Sequence, residues 1–322
     1  MRRALFALGA AGAVAGGVVL AARSAAARVN ASPDPVPLER LRQELRGIER
    51  VVERPDGTAL RVVVAGAGPT VVLAHGVGLA SIEWNLVWDD LLERGYRVVA
   101  FDQRGHGRST IGAEGIGSRA MAGDYLAVLE AVDAHDAVLA GHSMGGFLAL
   151  TAVLDVPGVA DRLRGLVLIA AFAGDVFDGA PLNRALAPLL RLGLLQRAAA
   201  RNATVGTLFG ASFYSDDASP ALVRALLDTV LPQNQRPLRP LLDSFAAEDR
   251  YGRLPEIDLP TVVICGRSDT TTPPRASERL AAGIPGARAV WLEGKGHMLN
   301  WEAPEVVVDA VSALAPAPSP RA

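Results

Sequence analysis

From Ile48 onward the chain alternates short apolar runs with longer stretches of helical spacing. The first two runs, Ile48–Glu53 and Ala59–Val64, flank Arg54-Pro55-Asp56-Gly57 and predict a hairpin. Further runs at Thr70–Ala74, Arg97–Phe101, Ala137–Ala140, Gly165–Ala170, Thr261–Cys265 and Arg288–Leu292 are apolar at nearly every position. Strands of that kind are buried on both faces, as in a parallel sheet covered by helices. Between Phe172 and about Arg250 the strand signal stops and helical stretches replace it, including Asn183–Ala200 and Ala221–Leu231.

Two ends lie outside this alternation. Arg2 and Arg3 precede an uncharged run, Ala4–Ala22, followed by Arg23 and Ala25-Ala26-Ala27. As a helix the run would extend about 29 Å, the thickness of a hydrocarbon core. It reads either as a single-pass anchor with the folded domain outside the cell membrane, or as a leader cleaved after Ala27 to release a secreted protein. The expected layout is thus anchor or leader 1–28, linker 29–46, core 47–171, helical segment 172–250, core 251–315 and a disordered tail 316–322.

At 322 residues and half apolar, the chain has material for one large domain. A net charge of −2 and a pI near 6.2 argue against a nucleic-acid partner. The single cysteine, Cys265, falls in a predicted strand and cannot form an intrachain disulfide. Five histidines without HxH or HExxH spacing give no sign of a metal site, and no cofactor is expected.

The chemistry concentrates at strand ends. Gly141-His142-Ser143-Met144-Gly145 joins a predicted strand to a predicted helix, Phe147–Leu154, and has the form of a nucleophile elbow. Gly141 and Gly145 lack the Cβ atoms that would prevent so tight a turn. Asp269 follows the Thr261–Cys265 strand and His297 follows Arg288–Leu292, giving the order serine, acid, base. Such loops converge at one edge of a parallel sheet. In that arrangement His297 exchanges a proton with Ser143 while Asp269 fixes the imidazole tautomer. Asp175 is the rival acid, and an N-cap or turn carboxylate is the plain reading of Asp269. Backbone N–H groups of Met144 and Val77 are the expected oxyanion donors, with His75 bracing the loop and Gly76 keeping its backbone accessible. His106 reads as a turn residue, His135 as the end of a helix, and His142 as lying on the far side of the elbow.

Together HGVG at 75–78, DQRGHGRS at 102–109, GHSMGG at 141–146, GRSDTTTP at 266–273 and GKGHML at 294–299 resemble the α/β-hydrolase superfamily, in particular its bacterial esterase, lipase and haloperoxidase-like members. The resemblance implies an eight-stranded, mostly parallel sheet flanked by helices, with a helical cap inserted at 172–250. It implies a serine hydrolase cleaving a carboxylic ester with an apolar acyl group, through an acyl-enzyme on Ser143. Phe172, Phe177, Leu208, Phe209, Phe213 and Tyr214 are candidate linings of a capped pocket, or packing between its helices. Lactonase, perhydrolase and carbon–carbon hydrolase chemistry at the same serine are the alternatives, although C–C hydrolases often carry asparagine where this chain has His142. A non-catalytic ligand-binding scaffold is the reading from another class.

Overall fold

A computed structural model describes residues 2–176, 181–215, 218–232 and 239–316, with side chains described from residue 17 except at 181–183, 190, 191 and 239. Phe177 and nearly all of the 316–322 tail therefore lie outside the described residues.

Eight strands form one sheet: β1 Ile48–Glu53, β2 Ala59–Ala65, β3 Thr70–Ala74, β4 Arg97–Phe101, β5 Ala137–His142, β6 Leu163–Ile169, β7 Thr261–Gly266 and β8 Arg288–Leu292. Their order is β1-β2-β4-β3-β5-β6-β7-β8. Only β2 runs antiparallel to its neighbours, β1 and β4; every later pairing is parallel. After β3 the chain crosses one way to β4 and then returns past β3 to β5. The resulting switch point, at the carboxyl ends of β3 and β5, is where open α/β sheets form their crevice.

The central strands are apolar throughout because both faces are covered. Leu139 on β5 packs into a core with Phe147, Phe172 and Leu166, while its neighbours Val138 and Ala140 join Trp84, Trp88 and Val307 on the other face. The helices are, in chain order, α1 Arg2–Ala31, α2 Leu38–Leu41, α3 Asn85–Glu93, α4 Ser118–Ala131, α5 Met144–Asp155, α6 Pro181–Arg191, α7 Leu194–Arg201, α8 Ala203–Ala211, α9 Pro220–Val230, α10 Arg239–Ala247, α11 Pro274–Gly283, α12 Leu299–Glu302 and α13 Pro304–Leu314. Helices α6 to α10 intervene between β6 and β7. The single helix read at Asn183–Ala200 is two, because Gly193 adopts φ 63° and breaks the ladder between α6 and α7.

The predicted membrane placement needs correction. Among the described residues no helix is long and apolar enough to cross a membrane. Helix α1 packs on α8 and α9, and its part whose side chains are described, from Gly17, carries Arg23 and Arg28. Its Ala26 is buried, and Val29 adds to an apolar cluster with Leu41, Phe209 and Leu226. The contacts of this stretch are thus protein contacts; most of Ala4–Ala22 lies outside the residues whose side chains are described.

The loop after β4 is braced from within. The guanidinium of Arg104 is fully buried between Asp124 and Asp56, and Asp102 accepts the backbone N–H groups of Ser81 and Arg108. Burial raises the Asp56 carboxyl, but hydrogen bonds from Thr58, Arg104 and the Glu114 N–H outweigh it and hold the group at about 2. Asp102, fixed this way, acts electrostatically on His75.

Candidate active site

Ser143 stands between the last residue of β5 and the first of α5, with φ 52° and ψ −116°. That left-handed conformation is costly for a residue with a Cβ and persists only where its surroundings enforce it. They do so through the backbone: Ser143 N–H donates to the Ile169 carbonyl at 2.8 Å, and the Ser143 carbonyl accepts from Gly146 and Phe147. The hydroxyl makes no cap bond to α5, so the helix start leaves it free for other partners.

The elbow glycines meet a steric demand. A Cβ on Gly145 would sit 2.1 Å from the Ala74 carbonyl oxygen of β3, and one on Gly141 would sit 2.6 Å from the Gly145 backbone. Both neighbours are main chain and cannot rotate away. Gly145→Ala is expected to lower stability by roughly 3 kcal/mol or more, since overpacking against fixed backbone exceeds the usual core range. Urea unfolding of the two proteins checks this; a change under about 1 kcal/mol would mean that α5 shifts easily against β3.

His297 and Asp269 meet. His297 Nδ1 lies 2.8 Å from Asp269 Oδ2, and both residues are buried. The other carboxylate oxygen, Oδ1, accepts the N–H groups of Thr271 and Thr272 at 2.8 and 2.9 Å. The Thr272 hydroxyl reaches Asp269 Oδ2 and the Ala170 carbonyl, each at 2.8 Å. Asp269 is therefore a turn carboxylate and the partner of an imidazole at once. Asp175, its rival, instead pairs with Arg184 at 2.7 Å on the surface. The ring of His142, adjacent to Ser143, lies 4.8 Å from the ring of His297, so the elbow and the histidine loop share one end of the sheet.

The loop after β3 lies alongside. His75 Nε2 accepts the Gln103 N–H at 2.9 Å, which leaves Nδ1 to carry the proton and donate to the Gly76 carbonyl at 2.8 Å. Burial lowers the affinity of His75 for a second proton, against the pull of Glu83 and Asp102. The Gly76 N–H points at the Glu83 carboxylate. Val77 is half-buried against the core, and the Met144 N–H opens α5, where the helix ladder offers no acceptor. His106 donates to the Arg104 carbonyl at 3.0 Å, and burial holds it at about 3, so it stays neutral. The described residues contain no cluster of three or more potential metal ligands.

Not every expected lining residue faces this site. Phe172 stacks on Phe147 and meets Phe245 of α10 edge-on, in the core. Tyr214 is buried, with its hydroxyl on the Leu222 carbonyl, and Phe209 packs edge-on against Phe213. Among the described members of this set, only Phe213 has a ring contact with His297, at 6.2 Å. Its carbonyl also accepts the His297 N–H at 2.8 Å, a tie between the insertion and the histidine loop that no sequence pattern announces. Glu302 adds another by accepting from both Gly296 and Ser215.

Comparison with known proteins places this arrangement. A 2-hydroxy-6-oxononadienedioate/2-hydroxy-6-oxononatrienedioate hydrolase of Cupriavidus pinatubonensis is 34% identical over 273 residues, 80% of this chain and 91% of that one. An esterase of Exiguobacterium antarcticum superposes with a TM-score of 0.71 at 24% identity, covering 83% of this chain and 98% of the other. The esterase RhEst1 of Rhodococcus sp. gives 0.68 at 26% identity, with 83% and 99% covered. The alpha/beta hydrolase family profile matches residues 71–310, from β3 into α13, so the sheet's parallel part, its crevice and every residue discussed at the elbow and the two later loops lie within it. The chain belongs to the alpha/beta hydrolase family and is a hydrolase.

Proposed function

We propose that the chain is a serine hydrolase of carboxylic esters that works through an acyl-enzyme on Ser143. The observation that carries this reading is the 2.8 Å contact between His297 Nδ1 and Asp269 Oδ2, made at the same sheet end as a serine held at φ 52°. With Nδ1–H donating to the carboxylate, Nε2 is left as an acceptor. It takes the Ser143 proton as Oγ attacks the ester carbonyl, then returns it to the departing alcohol. Water, deprotonated by the same nitrogen, hydrolyses the acyl-enzyme and regenerates the serine. The N–H groups of Met144 and Val77 stabilise the oxyanion in both steps. No cofactor enters the balance of this reaction.

Residues 172–250 act as the cap in this reading. Phe213 presents an apolar edge beside His297 and favours an apolar acyl group over a charged one. A second reading, carbon–carbon hydrolysis at the same serine, is favoured by the 34% identical Cupriavidus hydrolase. His142 counts against it through the family resemblance, because C–C hydrolases often carry asparagine there.

A fluorophosphonate probe followed by peptide mass spectrometry, together with kcat/KM over p-nitrophenyl esters of rising chain length, lactones and 1,5-diketones, tests the proposal. Labelling at Ser143 with esters as the best substrates is the expected result. A clear preference for diketones would replace the ester reading with the carbon–carbon one. Absence of both labelling and turnover would leave a binding scaffold.

A further inference from the structure

A second imidazole–carboxylate pair lies directly behind the elbow. Glu83, on the short 3-10 turn Ser81–Trp84, and His142, the last residue of β5, are both wholly buried. His142 Nε2 is 3.1 Å from the His297 carbonyl oxygen, and a carbonyl only accepts, so this nitrogen carries a proton. His142 Nδ1 is 3.2 Å from Glu83 Oε1. The Gly76 N–H points between the two Glu83 oxygens, at 3.3 and 3.4 Å. A proton must lie between Nδ1 and Oε1, and with it on the nitrogen the ring is a cation facing the carboxylate.

Other ionisable groups face the same ring. His297 lies at 4.8 Å with Asp269 behind it, and His75 approaches from the end of β3. The Trp84 ring closes the remaining side edge-on at 6.5 Å. Burial opposes the positive charge on His142, but the Glu83 carboxylate outweighs it and keeps the ring protonated above the usual histidine range.

A buried ion pair is a weak source of stability, because desolvation cancels much of the attraction. This one makes side-chain contacts to backbone at two places, the Gly76 N–H of the loop carrying Val77 and the carbonyl of His297, and His142 itself immediately precedes Ser143 in the chain. The Asn300 amide reaches the Glu83 carbonyl at 2.7 Å and adds α12 to the set. We propose that the Glu83–His142 ion pair is a positioning device, which holds the Val77 loop and the His297 loop in register on either side of Ser143. The proposal rests on the serine-hydrolase reading for its kinetic consequence but not for its charge state.

Two measurements test it on the full chain. In histidine-labelled protein, 15N NMR is expected to find both ring nitrogens of His142 protonated at pH 7.5, and only one in Glu83→Gln. Because the folded pKa is raised, the pair contributes its full stability below the ordinary histidine range and loses it as pH rises through the folded value. Kinetically, Glu83→Gln is expected to cut kcat on p-nitrophenyl acetate about 10- to 100-fold with KM changed less than about threefold, the signature of misplaced groups and not of lost binding. Glu83→Gln combined with His142→Asn should be no worse than the poorer single variant. A neutral His142 in the wild-type spectrum at pH 7.5, an unchanged kcat in Glu83→Gln, or losses that multiply in the double variant would each overturn the proposal. The wild-type spectrum decides even where a variant does not fold. Failure of Ser143 to react with the fluorophosphonate would sink the serine reading instead, and the ring-nitrogen spectra would still decide the charge state of the ion pair.

Discussion

Ser143→Ala is expected to lower kcat on the best p-nitrophenyl ester by about a millionfold while the protein stays folded. The separation of the two effects follows from what the side chain does. The bonds that hold the elbow are all backbone: Ser143 N–H to Ile169, and Gly146 and Phe147 N–H to the Ser143 carbonyl. The hydroxyl does not cap α5, so its removal costs the helix nothing. Alanine also keeps the Cβ and meets the same left-handed strain as serine. Stopped-flow detection of the p-nitrophenolate burst, with thermal unfolding as a control, measures both quantities. A variant that keeps more than about one part in a hundred of the activity would assign the nucleophile elsewhere.

Asp269→Asn is expected to cost about 10⁴-fold in kcat, for a reason the loop geometry makes specific. Two backbone N–H groups, from Thr271 and Thr272, point at Oδ1 and require an acceptor there. Asparagine satisfies them with its carbonyl oxygen, which leaves its NH₂ at the position of Oδ2, 2.8 Å from His297 Nδ1. The imidazole must then accept at Nδ1 and carry its proton on Nε2. It presents a donor to the serine where a base is needed. Asp175→Asn is the matching control and should leave kcat within about twofold, since the described partner of Asp175 is the exposed Arg184 and not an imidazole. Rates of the two variants on one ester, compared side by side, give the answer; equal losses would remove Asp269 from its assigned role.

Most of the sheet is legible in the sequence because its strands are short apolar runs closed by glycine, proline and polar residues. Arg97–Phe101 and Arg288–Leu292 match at both ends, and β6 differs by two residues at its start and one at its end. Asp269 and His297 are visible for the same reason, as polar residues just past such runs. The break at Gly193 is not, since one glycine inside a helical pattern is usually tolerated. Phe172 reads either as pocket lining or as packing between helices, since aromatic residues look alike wherever they are buried, and it packs on Phe147 and Phe245. Glu83 gives no signal at all: an acid among Ser81, Ile82 and Trp84 resembles an ordinary surface turn. Only the approach of His142 from a strand 59 residues away makes it an ion-pair partner. Nor does apolar content alone reveal which surface a terminal helix touches, and α1 packs on α8 and α9 where its composition suggests a bilayer.

The hydrogen bond from His297 to the Phe213 carbonyl sets a rule for anyone recombining this protein with its relatives. A graft that exchanges the helical segment also exchanges the carbonyl to which the His297 backbone N–H donates. Junctions cut outside 212–215, leaving that tetrapeptide in the recipient, would exchange the helices while keeping the acceptor of the His297 N–H.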